Sequence, residues 1–272
     1  MNDNRIASGR TAEVYDYGQG QVLKLFYEGL PEHQIEAEYQ AGLIVRCAGI
    51  PAPAPIARIR HGERLGIVYE KVSGTTMLAA LAQRPGEVAD RAGQMAALHA
   101  HMHSQSAPGL PAQKTLLGER IGQASLLNDE EKARILALLD RLPDGDRLCH
   151  GDYHPDNIVL GTEDAQTWII DWMTGMSGHP AGDAARTALL LQYGTVPDGA
   201  SEEVVEWLAR MRAELLEGYL RTYTQHTGTT REYIEQWMVP VAAARLCEWI
   251  PDAEKQALAA FIRQSIAAES NE

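Results

Sequence analysis

Apolar and polar positions alternate along four early stretches: "AEVYDYG" (12–18), "QVLKLFY" (21–27), "APIARIRHGE" (54–63) and "RLGIVYEKV" (64–72). Gly and Pro punctuate them, so the pattern predicts antiparallel strands. One helix interrupts the series, "PEHQIEAEYQAGLIVRCAG" (31–49), with a Pro suited to its first turn and Gly49 and Pro51 to stop it. From residue 75 onward the period becomes helical, as in "PGEVADRAGQMAALHAHMHS" (85–104) and "DEEKARILALLDRL" (129–142). Ser201 is a plausible N-cap followed by Glu202 and Glu203, which suit the positive end of a helix dipole, and the stripe Val204, Leu208, Met211, Leu215, Tyr219 reads as core. No internal repeat or low-complexity segment is present, and the nearest approach to a linker is "SQSAPGLP" (104–111). The expected class is α+β, with a small β-rich part carrying one helix over residues 1–73 and a larger, mainly helical part over 74–272, as one large domain or two lobes.

Within the helical part, "NIVL" (157–160) and "TWII" (167–170) are short apolar runs joined by the polar "GTEDAQ", which predicts an antiparallel hairpin. Facing residues in such a hairpin have a constant sum, and pairing Asn157 with Asp171 centres the turn on residue 164. The two polar side chains then face each other at the open end, with Cβ atoms roughly 4.5 to 5.5 Å apart. An amide oxygen and a carboxylate at that spacing suit one Mg²⁺, with water and phosphate oxygens completing its octahedron. Asp152 lies five residues ahead of Asn157, close enough for its carboxylate to orient an incoming hydroxyl and accept its proton.

The run "HGDYHPDN" (150–157) has the spacing H-x-D-x-x-x-x-N, followed by a strand pair and an Asp, as in the catalytic loop and metal-binding Asp of kinases. By composition alone that spacing would occur roughly 0.009 times in a chain of this kind. With "IIDW" (169–172) in place of a D-F-G and Asp183 in "AGDAARTALLL", the sequence resembles the aminoglycoside phosphotransferase family of small-molecule kinases, distant relatives of protein kinases. The resemblance implies a two-lobed protein-kinase-like fold, Asp152 as catalytic base, Asn157 and Asp171 as Mg²⁺ ligands, Asp183 bracing the catalytic loop and His150 supporting it from below. His154 reads as a structural loop residue, with a contact near the transferred phosphate as the alternative.

A kinase also needs a cation on the nucleotide side. Val22, Lys24 and Phe26 share one strand face, which places Lys24 on an apolar surface. Its carboxylate partner belongs on the following helix, where Glu36 and Glu38 flank opposite sides of the apolar arc Ile35, Tyr39, Leu43, so periodicity leaves both open. The family pattern favours Glu38. "ASGRTAEV" (7–14) stands where kinases carry G-x-G-x-x-G-x-V; only Gly9 and Val14 match, and Ser8, Arg10 and Thr11 would add polar contacts to a phosphate-covering hairpin. By resemblance "VYEKVSG" (68–74) is the hinge, where the Glu70 carbonyl and the Val72 N–H would read the adenine edge. No G-x-x-x-x-G-K-[ST] occurs, so a P-loop NTPase is not supported.

Charge sharpens the picture. Residues 1–74 hold 8 basic and 9 acidic side chains, and 75–272 hold 16 and 28, so nearly all of the net charge of −13 resides in the helical part. Such a chain does not favour nucleic acid, which needs clustered Lys and Arg. It would favour a cationic acceptor. The expected reaction is therefore ATP- and Mg²⁺-dependent transfer of the γ-phosphoryl group, with GTP as the other nucleotide, to a hydroxyl of a small molecule, aminoglycoside-like or metabolic. The alternatives are a protein Ser/Thr kinase of the same fold and a non-catalytic nucleotide-binding regulator. With no signal-peptide run in "MNDNRIASGR" and no membrane span, a cytoplasmic monomer or weak dimer is expected. Cys47, Cys149 and Cys247 are expected to be reduced and mostly buried. His99, His101 and His103 are expected to favour a helix end rather than bind zinc, and Trp207, Tyr223, Tyr233 and Trp237 to pack in the core.

Overall fold

The computed structural model describes residues 4–163, 166–194 and 199–269. By packing, the chain divides into two compact units, Met1–Ala80 with Pro155–Gly175, and Leu81–His154 with Met176–Glu272.

The first unit is built on a five-stranded antiparallel sheet of order β1-β2-β3-β5-β4, from β1 (Arg5–Ser8), β2 (Ala12–Gly18), β3 (Gln21–Phe26), β4 (Pro55–His61) and β5 (Arg64–Glu70). The four alternating stretches of sequence are β2 to β5. The alternation sorts their side chains onto two faces. Ala12, Phe26 and Ile67 pack with Ile35 of helix α1 (Glu32–Cys47), while Leu23, Leu25 and Val68 form a second cluster with Tyr15, Ala57 and Ile59. Lys24 pairs with Ile67 in the ladder and so belongs to the face that carries α1.

A second sheet of this unit has the order β6-β8-β9, from β6 (Gly74–Thr76), β8 (Ile158–Gly161) and β9 (Thr167–Ile169). Gly74 is required here, because a Cβ at that position would lie 2.4 Å from the Leu160 carbonyl oxygen. The hairpin of β8 and β9 forms as its polar loop predicts, but its register differs by one. Ile158 pairs with Ile169, Val159 with Trp168 and Leu160 with Thr167, so facing numbers sum to 327 rather than 328. Asn157 therefore pairs not with Asp171 but with Ile170, whose N–H donates to the Asn157 carbonyl at 3.0 Å. The fully buried Ile158 and Ile169 select this register, since a slip of one residue would put a core side chain on the other face. Residue 164, the expected centre of the turn, lies outside the described residues.

The second unit is helical. Its elements are α3 (Val88–His103), α4 (Gln113–Gln123), α5 (Asp129–Arg141), α6 (Pro180–Tyr193), α7 (Glu202–Thr227), α8 (Arg231–Glu235), α9 (Met238–Arg245) and α10 (Asp252–Glu269), with α2 (Met77–Gln83) at the boundary of the units. Two short strands, β7 (Arg147–Cys149) and β10 (Met176–Gly178), pair antiparallel. Ser201 caps α7 by accepting from the Val204 N–H at 3.4 Å. Of the expected α7 stripe, Leu208, Met211, Leu215 and Tyr219 are buried and Val204 is exposed, because it stands in the first turn, short of the packed part of the helix. Tyr223 and Trp237 are fully buried, as core packing requires, whereas Trp207 and Tyr233 are only half-buried. Of the cysteines, all free, only Cys149 is buried; Cys47 ends α1 in solvent and Cys247 is half-buried. Among the described residues no helix is long and apolar enough to cross a membrane.

Candidate active site

Two clusters stand out, one holding Lys24, Glu38 and Asp171 and the other His150, Asp152 and Asp183. The first lies in the sheet unit. Lys24 Nζ donates to Glu38 Oε1 at 2.7 Å and to Asp171 Oδ1 at 2.9 Å, and lies 5.3 Å from the centre of the Phe26 ring. Periodicity could not choose between the two glutamates; the structure pairs Lys24 with Glu38, while Glu36 is bonded to Arg58 and accepts from Gln40. Glu38 is buried and also accepts from the Tyr69 hydroxyl at 2.9 Å. Burial alone would lower the Lys24 pKa, but the carboxylates of Asp171 and Glu38 outweigh it and hold the ammonium above its ordinary value. Burial pushes the Glu38 carboxyl up against the opposing pull of Lys24.

Asp171 follows the end of β9 with φ of 65°, in the left-handed region. Outside glycine that conformation is tolerated best by Asp and Asn. The backbone thus leaves the ladder at Asp171, which frees its side chain from the strand alternation. Asn157 ends a 3-10 turn over Pro155–Asn157 and is largely buried. Its backbone is hydrogen-bonded to the residue just before Asp171. An amide and a carboxylate at one end of one hairpin, with the carboxylate partly exposed, are hard oxygen donors that fit Mg²⁺ completed by water and phosphate.

The positions expected on the nucleotide side are framed by strands. Ser8 ends β1, its hydroxyl 2.9 Å from that of Tyr27, and the Gly9 N–H donates to the Ala12 carbonyl across the turn that carries Thr11. The β1–β2 hairpin expected from "ASGRTAEV" therefore exists, with Ser8 opposite Glu13. Glu70 ends β5, and Val72 lies in the link to β6.

The second cluster lies in the helical unit, where helix α6 holds the loop after β7. Asp183 Oδ2 accepts from the His150 N–H at 2.6 Å, and Oδ1 from the Gly151 N–H at 2.8 Å. One turn on, Arg186 Nε donates to the Gly151 carbonyl at 3.0 Å and Nη2 to Asp152 Oδ1 at 3.3 Å, while the Thr187 hydroxyl donates to the Tyr153 carbonyl at 3.0 Å. Residues 183, 186 and 187 form one helix face, so a single face grips the whole loop. Gly151, at φ of 76°, makes the turn that sends Asp152 away from the buried His150, whose Nδ1 accepts from the Asp152 N–H at 3.1 Å. His154 Nε2 lies 3.4 Å from Asp152 Oδ2. Burial would raise the Asp152 carboxyl, but the hydrogen bond with His154 and the charge of Arg186 hold it well below the usual carboxylate range.

The expectation for the histidines of α3 needs correction at two positions. His99 and His103 are buried, not dipole-favoured at a helix end; their Nε2 atoms lie 3.0 and 3.2 Å from Asp183 Oδ2, and their Nδ1 atoms 2.7 and 2.6 Å from the hydroxyls of Tyr219 and Tyr223. The physical reason is the close packing of α3 against α7, where an i, i+4 pair on each helix meets its counterpart. Asp183 thus takes two side-chain donors as well as two backbone ones. Arg186 and Thr187 were missed in the sequence although a signal existed: two polar residues three and four places after Asp183, inside the otherwise apolar "DAARTALLL".

A Lys–Glu pair on an antiparallel sheet, in one chain with an H-x-D-x-x-x-x-N run whose first half is held by helix α6, defines a kinase-like phosphotransferase. Residues 4–233 match the phosphotransferase enzyme family, and the chain belongs to that family. It is an enzyme that transfers a phosphoryl group to a hydroxyl. Solved structures similar to it include a thermostable mutant of aminoglycoside phosphotransferase APH(4)-Ia without ligand, with a TM-score of 0.65, 14% identity, and 98% of this chain and 94% of that one covered. An aminoglycoside-3'-phosphotransferase of type VIII is similar with a TM-score of 0.60, 22% identity and coverage of 90% and 92%. An ethanolamine kinase of Plasmodium vivax is similar with a TM-score of 0.54, 12% identity and coverage of 97% and 83%. No curated protein sequence matches the chain.

Proposed function

We propose that this protein transfers the γ-phosphoryl group of ATP, with GTP as the alternative donor, to a hydroxyl of a small molecule in a Mg²⁺-dependent reaction. The observation that carries the reading is the convergence on Lys24 of Glu38 at 2.7 Å and Asp171 at 2.9 Å, residues 14 and 147 positions away in the chain. A buried carboxylate on one side and a partly exposed one on the other keep the ammonium charged and extended toward where phosphates would lie. Asn157 and Asp171 would hold the Mg²⁺, which when bound neutralises phosphate charge. Ser8, Gly9 and Thr11 would cover the phosphates, and the Glu70 carbonyl and Val72 N–H would read the base.

In the transfer, the acceptor oxygen bonds to the γ-phosphorus, the bond to the β-phosphate oxygen breaks, the nucleoside diphosphate leaves, and the hydroxyl proton passes to Asp152. A carboxylate held below its usual range is a weak base. Its part is therefore chiefly alignment, which suits a loose transition state in which the acceptor loses its proton late. His150 and Asp183 keep the loop in shape. Similar structures include an APH(4)-Ia mutant bound to ADP and hygromycin B, and the ethanolamine kinase. Both point to a small acceptor bearing a hydroxyl and an amine.

The test is a coupled nucleotide-turnover screen over aminoglycosides, amino alcohols, sugars and nucleosides, with Asp152→Ala as the blank. Acceptor-dependent turnover is expected in the unaltered protein and not in the variant, with Mg²⁺·ATP affinity preserved within a few-fold. Equal loss of binding and turnover would remove Asp152 from the role of base. Nucleotide binding with no turnover on any acceptor would favour a regulator, and phosphate appearing on protein alone would favour a protein kinase.

A further inference from the structure

The buried charges around Asp152 do not end with the loop. Arg186 Nη2, which reaches Asp152 Oδ1, also donates to Glu248 Oε2 at 2.9 Å. Glu248 Oε2 accepts in turn from Arg245 Nη1 at 2.9 Å, and Arg245 Nε donates to Glu254 Oε1 at 2.6 Å. Arg120 lies 3.8 Å from the other oxygen of Glu248. Arg186, Arg245 and Glu254 are all buried. Four helices, α4, α6, α9 and α10, and the segment between the last two, thus supply one ionic network that reaches the Asp152 carboxylate.

We propose that Arg186 is a positioning residue for Asp152, and that Glu248 sets the guanidinium in place. The geometry supports this in two ways. Arg186 reaches the loop through two separate donors, Nε on the Gly151 carbonyl and Nη2 on the carboxylate, and a planar guanidinium gripping two points fixes both the backbone turn and the direction of the side chain it carries. Glu248 contacts the same Nη2 at shorter range than Asp152 does, so the guanidinium is anchored from behind and cannot swing to follow the loop. Ion pairs of this kind are poor sources of net stability, since desolvation cancels much of their attraction. A network of them that reaches the proposed base is better accounted for by holding geometry. The inference rests on the reading of Asp152 as the group that aligns the acceptor.

A double-mutant cycle tests it, using Asp152→Asn, Arg186→Met and the pair, with Mg²⁺·ATP as donor and, as acceptor, the compound identified by the screen or, for slow hydrolysis, water. Arg186→Met is expected to lower kcat about 100-fold with the KM for Mg²⁺·ATP unchanged. In the Asp152→Asn background, its residual turnover read in single-turnover assays at high enzyme concentration, the same substitution is expected to cost far less than 100-fold, because most of its effect runs through the carboxylate that background lacks. Arg186→Met leaves Glu248 without one of its cations; Arg186→Met with Glu248→Gln removes both charges together, keeps the fold testable, and should show the same loss of kcat. Full activity in both Arg186 variants, or an undiminished loss in the Asp152→Asn background, overturns the positioning role. Full activity in Asp152→Asn, or no turnover by the unaltered protein, overturns the reading beneath it as well.

Discussion

His99 Nε2 lies 3.0 Å from Asp183 Oδ2, and both side chains are fully buried. With Nδ1 accepting from the Tyr219 hydroxyl, the neutral Nε2–H tautomer satisfies the contact. Burial and the neighbouring His103 push His99 down to about 3 despite the carboxylate, so it is neutral in the folded protein at any ordinary pH.

A pH dependence of stability follows. The unfolded chain binds a proton at His99 below about pH 6.5, whereas the folded one does so only near 3, so stability is lost as pH falls through that window. Asp183, held below its ordinary range mainly by its hydrogen bonds to His103 and His99 against the effect of burial, adds a loss in the same direction, but only below about pH 4. Denaturant unfolding between pH 6.5 and 5 should therefore show a slope that His99→Gln reduces by up to about 1.4 kcal/mol per pH unit. An unchanged slope in that variant would mean that His99 titrates normally.

The Lys24 pairing separates two glutamates two residues apart. Glu38→Gln should raise the KM for Mg²⁺·ATP and lower kcat, because Lys24 loses its buried counter-charge. Glu36→Gln, at a half-exposed position bonded to Arg58, should leave turnover intact and change stability by less than about 0.5 kcal/mol. Steady-state kinetics on the two variants decides between them.

Removing the proposed metal ligand should act on binding rather than on chemistry alone. Calorimetry on Asp171→Ala is expected to show Mg²⁺·ATP affinity reduced about tenfold or more, with metal-free nucleotide bound as before. Normal Mg²⁺·ATP binding would remove Asp171 from the metal site.

At Gly151 the backbone itself is under test. Its φ of 76° would cost an alanine about 1 to 2 kcal/mol. Gly151→Ala should stay folded, with a lowered midpoint in thermal unfolding, and lose turnover through the displaced Asp152.

Asn128 offers a control away from the site. Its side chain accepts from the Glu131 N–H at 2.9 Å while the Glu131 carboxylate accepts from the Asn128 N–H at 2.8 Å, a reciprocal capping box on α5. Asn128→Ala should destabilise by about 1 kcal/mol in denaturant unfolding and leave kinetics untouched.

What this sequence determined by itself is whatever depends on neighbours a few residues away. Alternation within six or seven positions set β2 to β5, and the H-x-D-x-x-x-x-N spacing put Asp152 and Asn157 in one short stretch; both follow from local geometry that any packing must respect. Tertiary structure decided the rest. It chose Glu38 over Glu36, which lie on opposite sides of one helical arc. It slipped the hairpin by one residue to bury Ile158 against Ile169, and it released Asp171 from the ladder through a left-handed backbone. It joined Arg186 to Glu248, 62 residues away, and His99 to Asp183, 84 away. A buried polar side chain must find its partner wherever packing brings one, and no periodicity along the chain records that distance.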